Sequence, residues 1–99
     1  MTESRDVRVQ DNPRELRYEL RVDGDLVGEI RYRRHPGIVV LVHTEVEPPF
    51  EGQGLGAELV RGALDDIRAR GELVVPFCPF VAAYIRRHPE FEDLVTVER

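Results

Sequence analysis

The sequence contains no lysine, no tryptophan and only one cysteine, and these gaps exclude several kinds of site. Cys78 has no second cysteine to pair with, which excludes a disulfide within the chain. The three histidines, at positions 35, 43 and 88, do not stand at zinc-ligand spacing relative to Cys78. We therefore expect no metal at the functional site.

Long apolar segments are also missing. The longest apolar runs, such as residues 38–42, are far shorter than the about 20 residues that a membrane-spanning helix needs. Residues 1–6 lack the apolar stretch of a signal peptide. We expect a cytoplasmic protein without a membrane partner.

An excess of positive charge is absent as well. The formal net charge is -5 at pH 7, and all 14 cationic residues are arginine. Nucleic-acid-binding proteins normally carry a clustered positive excess, so we expect no nucleic-acid partner. The one dense basic run lies in residues 30–35, where arginines alternate with apolar side chains as on the exposed face of a strand.

The first half of the sequence has the pattern of strands. Residues 16–22 alternate apolar and polar side chains, and a turn then leads into a second strand over residues 26–33. Residues 38–46 begin with a β-branched, apolar run that is typical of a central strand. Residues 7–9 are expected to add a short edge strand. These segments together predict an antiparallel meander.

The second half alternates helices and strands. Apolar residues recur every four positions over residues 55–70, which predicts an amphipathic helix. A buried strand is expected at residues 73–77, a short helix at 81–87 and a last strand at 94–97. The 99-residue chain, 41% apolar, therefore fits one α+β domain over residues 1–99, as a monomer or a weak dimer.

Three glycines, Gly52, Gly54 and Gly56, stand at alternating positions at the start of the first predicted helix. A phosphate-binding P-loop would need a lysine, which this chain lacks. A dinucleotide-binding loop is disfavoured because several antiparallel strands come first and the acidic residue, Glu72, precedes the next strand. A plain strand-to-helix turn remains an alternative. We favour an anion site in which backbone N–H groups of residues 51–57 hold a pyrophosphate at the helix start.

Residues 46–56 resemble the coenzyme A loop of the GNAT acetyltransferase superfamily, and residues 76–91 are similar to a small branch with a Cys-Pro-Phe segment. The resemblance covers about residues 15–97. It implies a compact GNAT-like fold whose mixed central sheet contains a splayed parallel strand pair. It also implies acetyl-CoA as the cosubstrate and an amine as the acceptor.

The resemblance assigns coenzyme A binding to a set of residues around the glycines: Val46, Glu51, Gly52, Gln53, Gly54, Leu55, Gly56, Ala57 and Cys78. Glu51 departs from the family pattern, which has arginine or glutamine there. We expect its carboxylate to turn away and to cap or pair elsewhere, for example with an arginine. The other possibility is weaker binding of the pyrophosphate.

The candidate catalytic residues are Cys78, His43 and Tyr84. The resemblance places Cys78 close to the cofactor's sulfur, as a nucleophile or as an inert packing residue. It places Tyr84 where the superfamily's acid sits, although a packing role is equally open. His43 is the candidate base because its ordinary pKa is close to neutral, with burial as a structural histidine as the rival role. Glu45 and Glu47 could act instead through a water.

Two functions follow from these residues. The first is transfer of an acetyl group from acetyl-CoA to a primary amine, with a protein or peptide lysine preferred over a small amine because the acceptor side is expected to be open. The second is a non-catalytic module that binds or senses acyl-CoA.

Overall fold

Five strands form one mixed sheet in the order β1-β2-β3-β4-β5 in the computed structural model, which describes residues 5–97. The first four strands pair antiparallel, and β5 pairs parallel with β4. The α+β class and the mixed sheet are therefore confirmed. The edge strand is longer than the predicted residues 7–9. The strands are β1 (Val7–Asn12), β2 (Arg17–Val22), β3 (Asp25–His35), β4 (Ile38–Val46) and β5 (Leu73–Pro76).

Two α-helices and two short 3-10 helices complete the described part of the chain. They are the 3-10 helix Pro48–Phe50, α1 (Leu55–Ala69), α2 (Pro79–Arg87) and the 3-10 helix Pro89–Leu94. Both α-helices bury their apolar stripes in one core cluster with side chains of β2, β3 and β4. None of the helices within residues 5–97 is long and apolar enough to cross a membrane.

The other face of β2 and β3 is polar. Arg17 forms ion pairs with Glu19 and Glu29, which face each other across the two strands. Arg21 pairs with Glu19, and Arg31 pairs with Glu29. This ladder of ion pairs covers the sheet face that carries neither α-helix.

A β-bulge interrupts the pairing of β3 with β4. Arg31 lies opposite His43 and Tyr32 lies opposite Leu41, which leaves Val42 as an extra residue. A bulge shifts the alternation of side chains along its strand by one position. As a result, Thr44 lies on the same side of the sheet as Leu41, and His43 lies on the opposite side.

The parallel strands β4 and β5 separate beyond their fourth residue pair. The pairing ends at Leu41 and Pro76, and Pro76 has no N–H group to continue a ladder. One more hydrogen bond, from the Cys78 N–H to the Leu41 carbonyl at 2.8 Å, closes the junction. From residue 42 to residue 46, β4 therefore has no described strand on that edge. A cleft opens there between β4 and the segment that follows β5.

The predicted last strand, residues 94–97, is wrong. The segment Pro89–Leu94 is a 3-10 helix that buries Phe91 and Leu94, two side chains three residues apart. Only Val95 forms a β-bridge, with Val74, and the Thr96 N–H donates to the Val74 carbonyl at 2.9 Å. The apolar alternation of the segment was too short to outweigh the packing of these two side chains on the core.

Candidate functional site

A cleft of about 470 Å3 lies where β4 and β5 separate, and the loop before α1 closes one side of it. We call it the glycine cleft. Most of its wall comes from the end of β4, from the loop and from the first residues of the two α-helices. Its lining residues are Thr44, Val46, Phe50, Glu51, Gly52, Gly54, Gly56, Ala57 and Phe80.

The loop at residues 52–57 exposes a run of free backbone donors. The predicted run began at Glu51, whose N–H instead donates to the Pro48 carbonyl at 3.2 Å. Gly52 and Gly54 have φ angles of +78° and +77°, a backbone conformation that residues other than glycine rarely adopt. The first hydrogen bond of α1 runs from the Glu58 N–H to the Gly54 carbonyl at 3.2 Å, and no side chain caps the helix. Within residues 5–97, the N–H groups of 52–57 have no acceptor. Such a helix N-terminus suits an anion.

Gly56 serves a different purpose from the two glycines before it. A Cβ atom at position 56 would lie 3.0 Å from Cζ of Phe80, closer than carbon atoms normally approach. Phe80 is 48% exposed and forms the cleft wall opposite the loop. Sequence reasoning did not assign Phe80 or Phe50 to the site. The contact of Phe80 with Gly56 joins distant parts of the chain, whereas Phe50 directly precedes the loop.

The two polar side chains of the loop behave differently from each other. Gln53 accepts a hydrogen bond from Arg5 at 2.6 Å and donates one to the Pro49 carbonyl at 3.1 Å, so its amide is engaged on the loop's outer side. The Glu51 carboxylate has no hydrogen bond or ion pair within residues 5–97, and Glu51 lines the glycine cleft. The predicted capping or arginine partner for Glu51 is therefore absent from the described chain.

Cys78 lies at the inner end of the glycine cleft, behind Thr44. It is 3% exposed and precedes the first residue of α2. Its sulfur lies 3.4 Å from the hydroxyl oxygen of Thr44. Thr44 lines the cleft and Cys78 does not, so the threonine separates the thiol from the open space. Sequence reasoning missed Thr44 because the bulge that orients it was not evident from the pattern.

His43 and Cys78 point to opposite sides of β4. His43 lies opposite Arg31 on the face with the ion-pair ladder, and its side chain is 57% exposed. Its Nε2 atom lies 3.2 Å from a carboxylate oxygen of Glu45. Burial as a structural histidine, the rival role, is excluded by this exposure. The pair of His43 and Glu45 can accept a proton at the sheet face across from the thiol.

Tyr84 is a residue of α2 that packs inside the core. It is 7% exposed, and its ring stacks on His88 with centroids 3.9 Å apart. Phe91 lies next to it, with centroids 6.1 Å apart. Burial raises the pKa of the Tyr84 hydroxyl. Tyr84 does not line the glycine cleft, and its contacts favour the packing role that the sequence left open.

A second cavity, of about 460 Å3, adjoins the glycine cleft. We call it the acidic cavity. Its floor comes from the start of β3, and its rim carries four carboxylates, those of Glu29, Glu45, Glu47 and Glu51. Glu51 and Val46 line both spaces, so these two residues lie between them.

Comparison with known proteins agrees with this arrangement. The sequence model of the GCN5-related N-acetyltransferase family matches residues 17–94. The chain is also similar to the NMR structure of a GCN5-like candidate N-acetyltransferase from Staphylococcus aureus, with a TM-score of 0.68 and 18% identity. The similarity covers 93% of this chain and 90% of that one, and at this identity it concerns the fold. No curated protein matches the sequence.

Proposed function

The chain belongs to the GCN5-related N-acetyltransferase family, and on this basis we propose that it transfers an acetyl group from acetyl-CoA to a primary amine. The preferred acceptor is a lysine side chain of a protein or peptide, ahead of a small amine. A cytoplasmic location, expected from the sequence, is part of the proposal.

One observation carries the proposal: the free N–H groups of residues 52–57 lie beside the open edge of β4. The N–H groups suit the pyrophosphate of coenzyme A, because they and the helix dipole supply positive potential without a cationic side chain. The open strand edge suits the pantetheine arm, whose amides need hydrogen-bonding partners. The loop N–H groups and the open edge of β4 adjoin each other, as the pyrophosphate and the pantetheine arm do in coenzyme A.

Transfer requires a neutral amine, a polarised thioester carbonyl and stabilisation of the leaving sulfur. The amine nitrogen attacks the carbonyl carbon, the carbon–sulfur bond breaks, and its electron pair leaves with the sulfur. The nitrogen gives up a proton, and His43, paired with Glu45, is the proposed acceptor of that proton. Cys78 is buried behind Thr44, which supports direct attack by the amine over transfer through the cysteine.

The preference for a lysine side chain is supported by the surface around His43. The face that carries His43 has no α-helix over it within residues 5–97, so a polypeptide can approach. Two of the four carboxylates around the adjoining acidic cavity, those of Glu47 and Glu51, form no ion pair within residues 5–97, and they favour a cationic acceptor segment. A small amine would not need this open surface.

The alternative is a non-catalytic module that binds or senses acyl-CoA. Two observations favour it: the unpaired Glu51 in the cleft wall and the packing of Tyr84 away from the cleft. Release of free coenzyme A thiol, measured over time with acetyl-CoA and a lysine-containing peptide, separates the two functions. Peptide-dependent release supports the transferase, whereas stable binding of acetyl-CoA without release supports the sensor.

A further inference from the structure

The inner end of the glycine cleft contains one hydroxyl group. Of the described residues that line the cleft, only Thr44 and Glu51 have polar side chains. Glu51 belongs to the loop that precedes α1, whereas Thr44 lies on β4 next to Cys78. An ionised carboxylate can only accept hydrogen bonds, but a hydroxyl can donate one. Thr44 is therefore the side chain with a donor for a ligand at this end.

The fold holds the Thr44 hydroxyl in a defined place. The bulge at Val42 turns Thr44 toward the cleft, and its pairing with Ile30 anchors the backbone. The Thr44 hydroxyl has one hydrogen-bonding contact within residues 5–97, the Cys78 sulfur at 3.4 Å. Sulfur is a weak acceptor and a thiol is a weak donor. The Cys78 thiol can donate to the threonine oxygen, which leaves the hydroxyl proton available to a ligand in the cleft.

We propose that Thr44 is a catalytic residue of the acetyl transfer, and that its hydroxyl donates a hydrogen bond to the sulfur of the departing coenzyme A. This inference rests on the proposed function. As the carbon–sulfur bond breaks, the electron pair stays on the sulfur and negative charge develops there. A donor already in place stabilises that charge more than it stabilises the neutral thioester. Threonine keeps its proton, and the sulfur later takes one from water.

Tyr84, the candidate acid from the sequence, is held away from this position. Its ring is stacked on His88, and Tyr84 does not line the cleft. Cys78 is 3% exposed and lies behind Thr44. Thr44 is the residue that reaches both the cleft and the thiol.

The test compares Thr44→Val, which removes the hydroxyl and keeps the shape, with Thr44→Ser, which keeps the hydroxyl. We expect Thr44→Val to lower kcat by about tenfold to hundredfold and to change the Kd for coenzyme A by less than about twofold. Thr44→Ser should stay within about threefold of the unmodified protein in kcat. Thr96→Val, at the partly buried threonine beside β5, is the matched control and should change neither quantity.

Two results would overturn the inference while the unmodified protein remains active. One is a Thr44→Val enzyme with unchanged kcat, and the other is a Thr44→Ser enzyme as slow as Thr44→Val. Thr44→Ala replaces Thr44→Val if the latter does not fold, as judged by its melting curve. An unmodified protein that binds coenzyme A but never releases thiol would instead contradict the proposed function, and the inference with it.

Discussion

The ring of Phe80 lies directly over Gly56, so closely that a Cβ atom at position 56 would stand 3.0 Å from its Cζ atom. This contact joins the first turn of α1 to the start of α2 across the glycine cleft. The width of the cleft therefore depends on a glycine at position 56, for a reason unrelated to backbone conformation.

Substitution of the loop glycines should abolish coenzyme A binding. Gly56→Val would push Phe80 out of place, and Gly54→Val would strain a residue with a φ angle of +77°. Coenzyme A at about 100 times its Kd should stabilise the unmodified protein by about 2.7 kcal/mol, seen as a higher melting temperature. Both variants should remain folded and lose this increase.

Gly24→Val is the matched control for the loop glycines. Gly24 has a φ angle of +88° but lies in the turn between β2 and β3, and its Cβ would meet nothing within 4 Å. This variant should melt at a lower temperature and still be stabilised by coenzyme A. If all three variants responded to coenzyme A like the unmodified protein, the loop would not be the pyrophosphate site.

Removal of the charge at Glu51 should tighten coenzyme A binding. The carboxylate has no partner within residues 5–97 and lines the glycine cleft, so it should repel a pyrophosphate that binds there. Glu51→Gln should lower the Kd by about threefold to tenfold at low salt, and the gain should shrink as added salt screens the charge. Glu58→Gln, at an exposed acid in the first turn of α1, serves as the control. An equal gain in both variants would indicate only a general effect of net charge.

Acetyl transfer should proceed without a covalent intermediate on Cys78. The thiol is buried behind Thr44, so Cys78→Ala should retain most of the transfer rate. Mass spectrometry after incubation with acetyl-CoA should show no gain of about 42 Da that hydroxylamine removes. The absence of lysine simplifies this measurement, because no lysine side chain can carry the label. A labile adduct that forms and decays at the turnover rate would contradict direct transfer.

All three tyrosines should titrate above their ordinary pKa in the folded protein. Burial raises the pKa of Tyr18 and Tyr84, and burial and a hydrogen bond to Asp11 raise the pKa of Tyr32 to about 12. The folded state holds these protons more tightly than the unfolded state, whose tyrosines titrate near 10. The contribution of these tyrosines to the free energy of unfolding is therefore constant below about pH 10, and it falls as the pH rises from about 10 toward 12.

Tyrosinate absorbance, followed in the native protein and in denaturant, measures this difference. Tyr32→Phe should remove one of the three late-titrating groups and should lower the free energy of unfolding at neutral pH by about 1 kcal/mol, because Asp11 loses its hydrogen bond from the phenol. A native titration curve that coincides with the denatured one would show that the three rings are more accessible than the structure indicates.

The sequence alone determined the order and type of most elements and the location of the glycine loop. In strands such as residues 16–22 and in the helix that begins at Leu55, apolar residues recur at a regular spacing. This spacing is needed to bury one face of the element, whatever that face packs against. The glycine loop was recognisable because positive φ angles leave a local signature in residue type. The separation of β4 from β5 at Pro76 also has a local cause, the missing N–H group.

Only the tertiary structure decided which side chains meet at the site. One extra residue at Val42 exchanges the two faces of β4, so it places Thr44 beside Cys78 and His43 on the opposite side. The segment that ends at Leu94 became a 3-10 helix because Phe91 and Leu94 gain more from the core than from a ladder. The spacing of apolar residues can be read along the chain, whereas strand register and packing depend on residues that are distant in sequence. A register shift of one position moves every later side chain of the strand to the other face of the sheet.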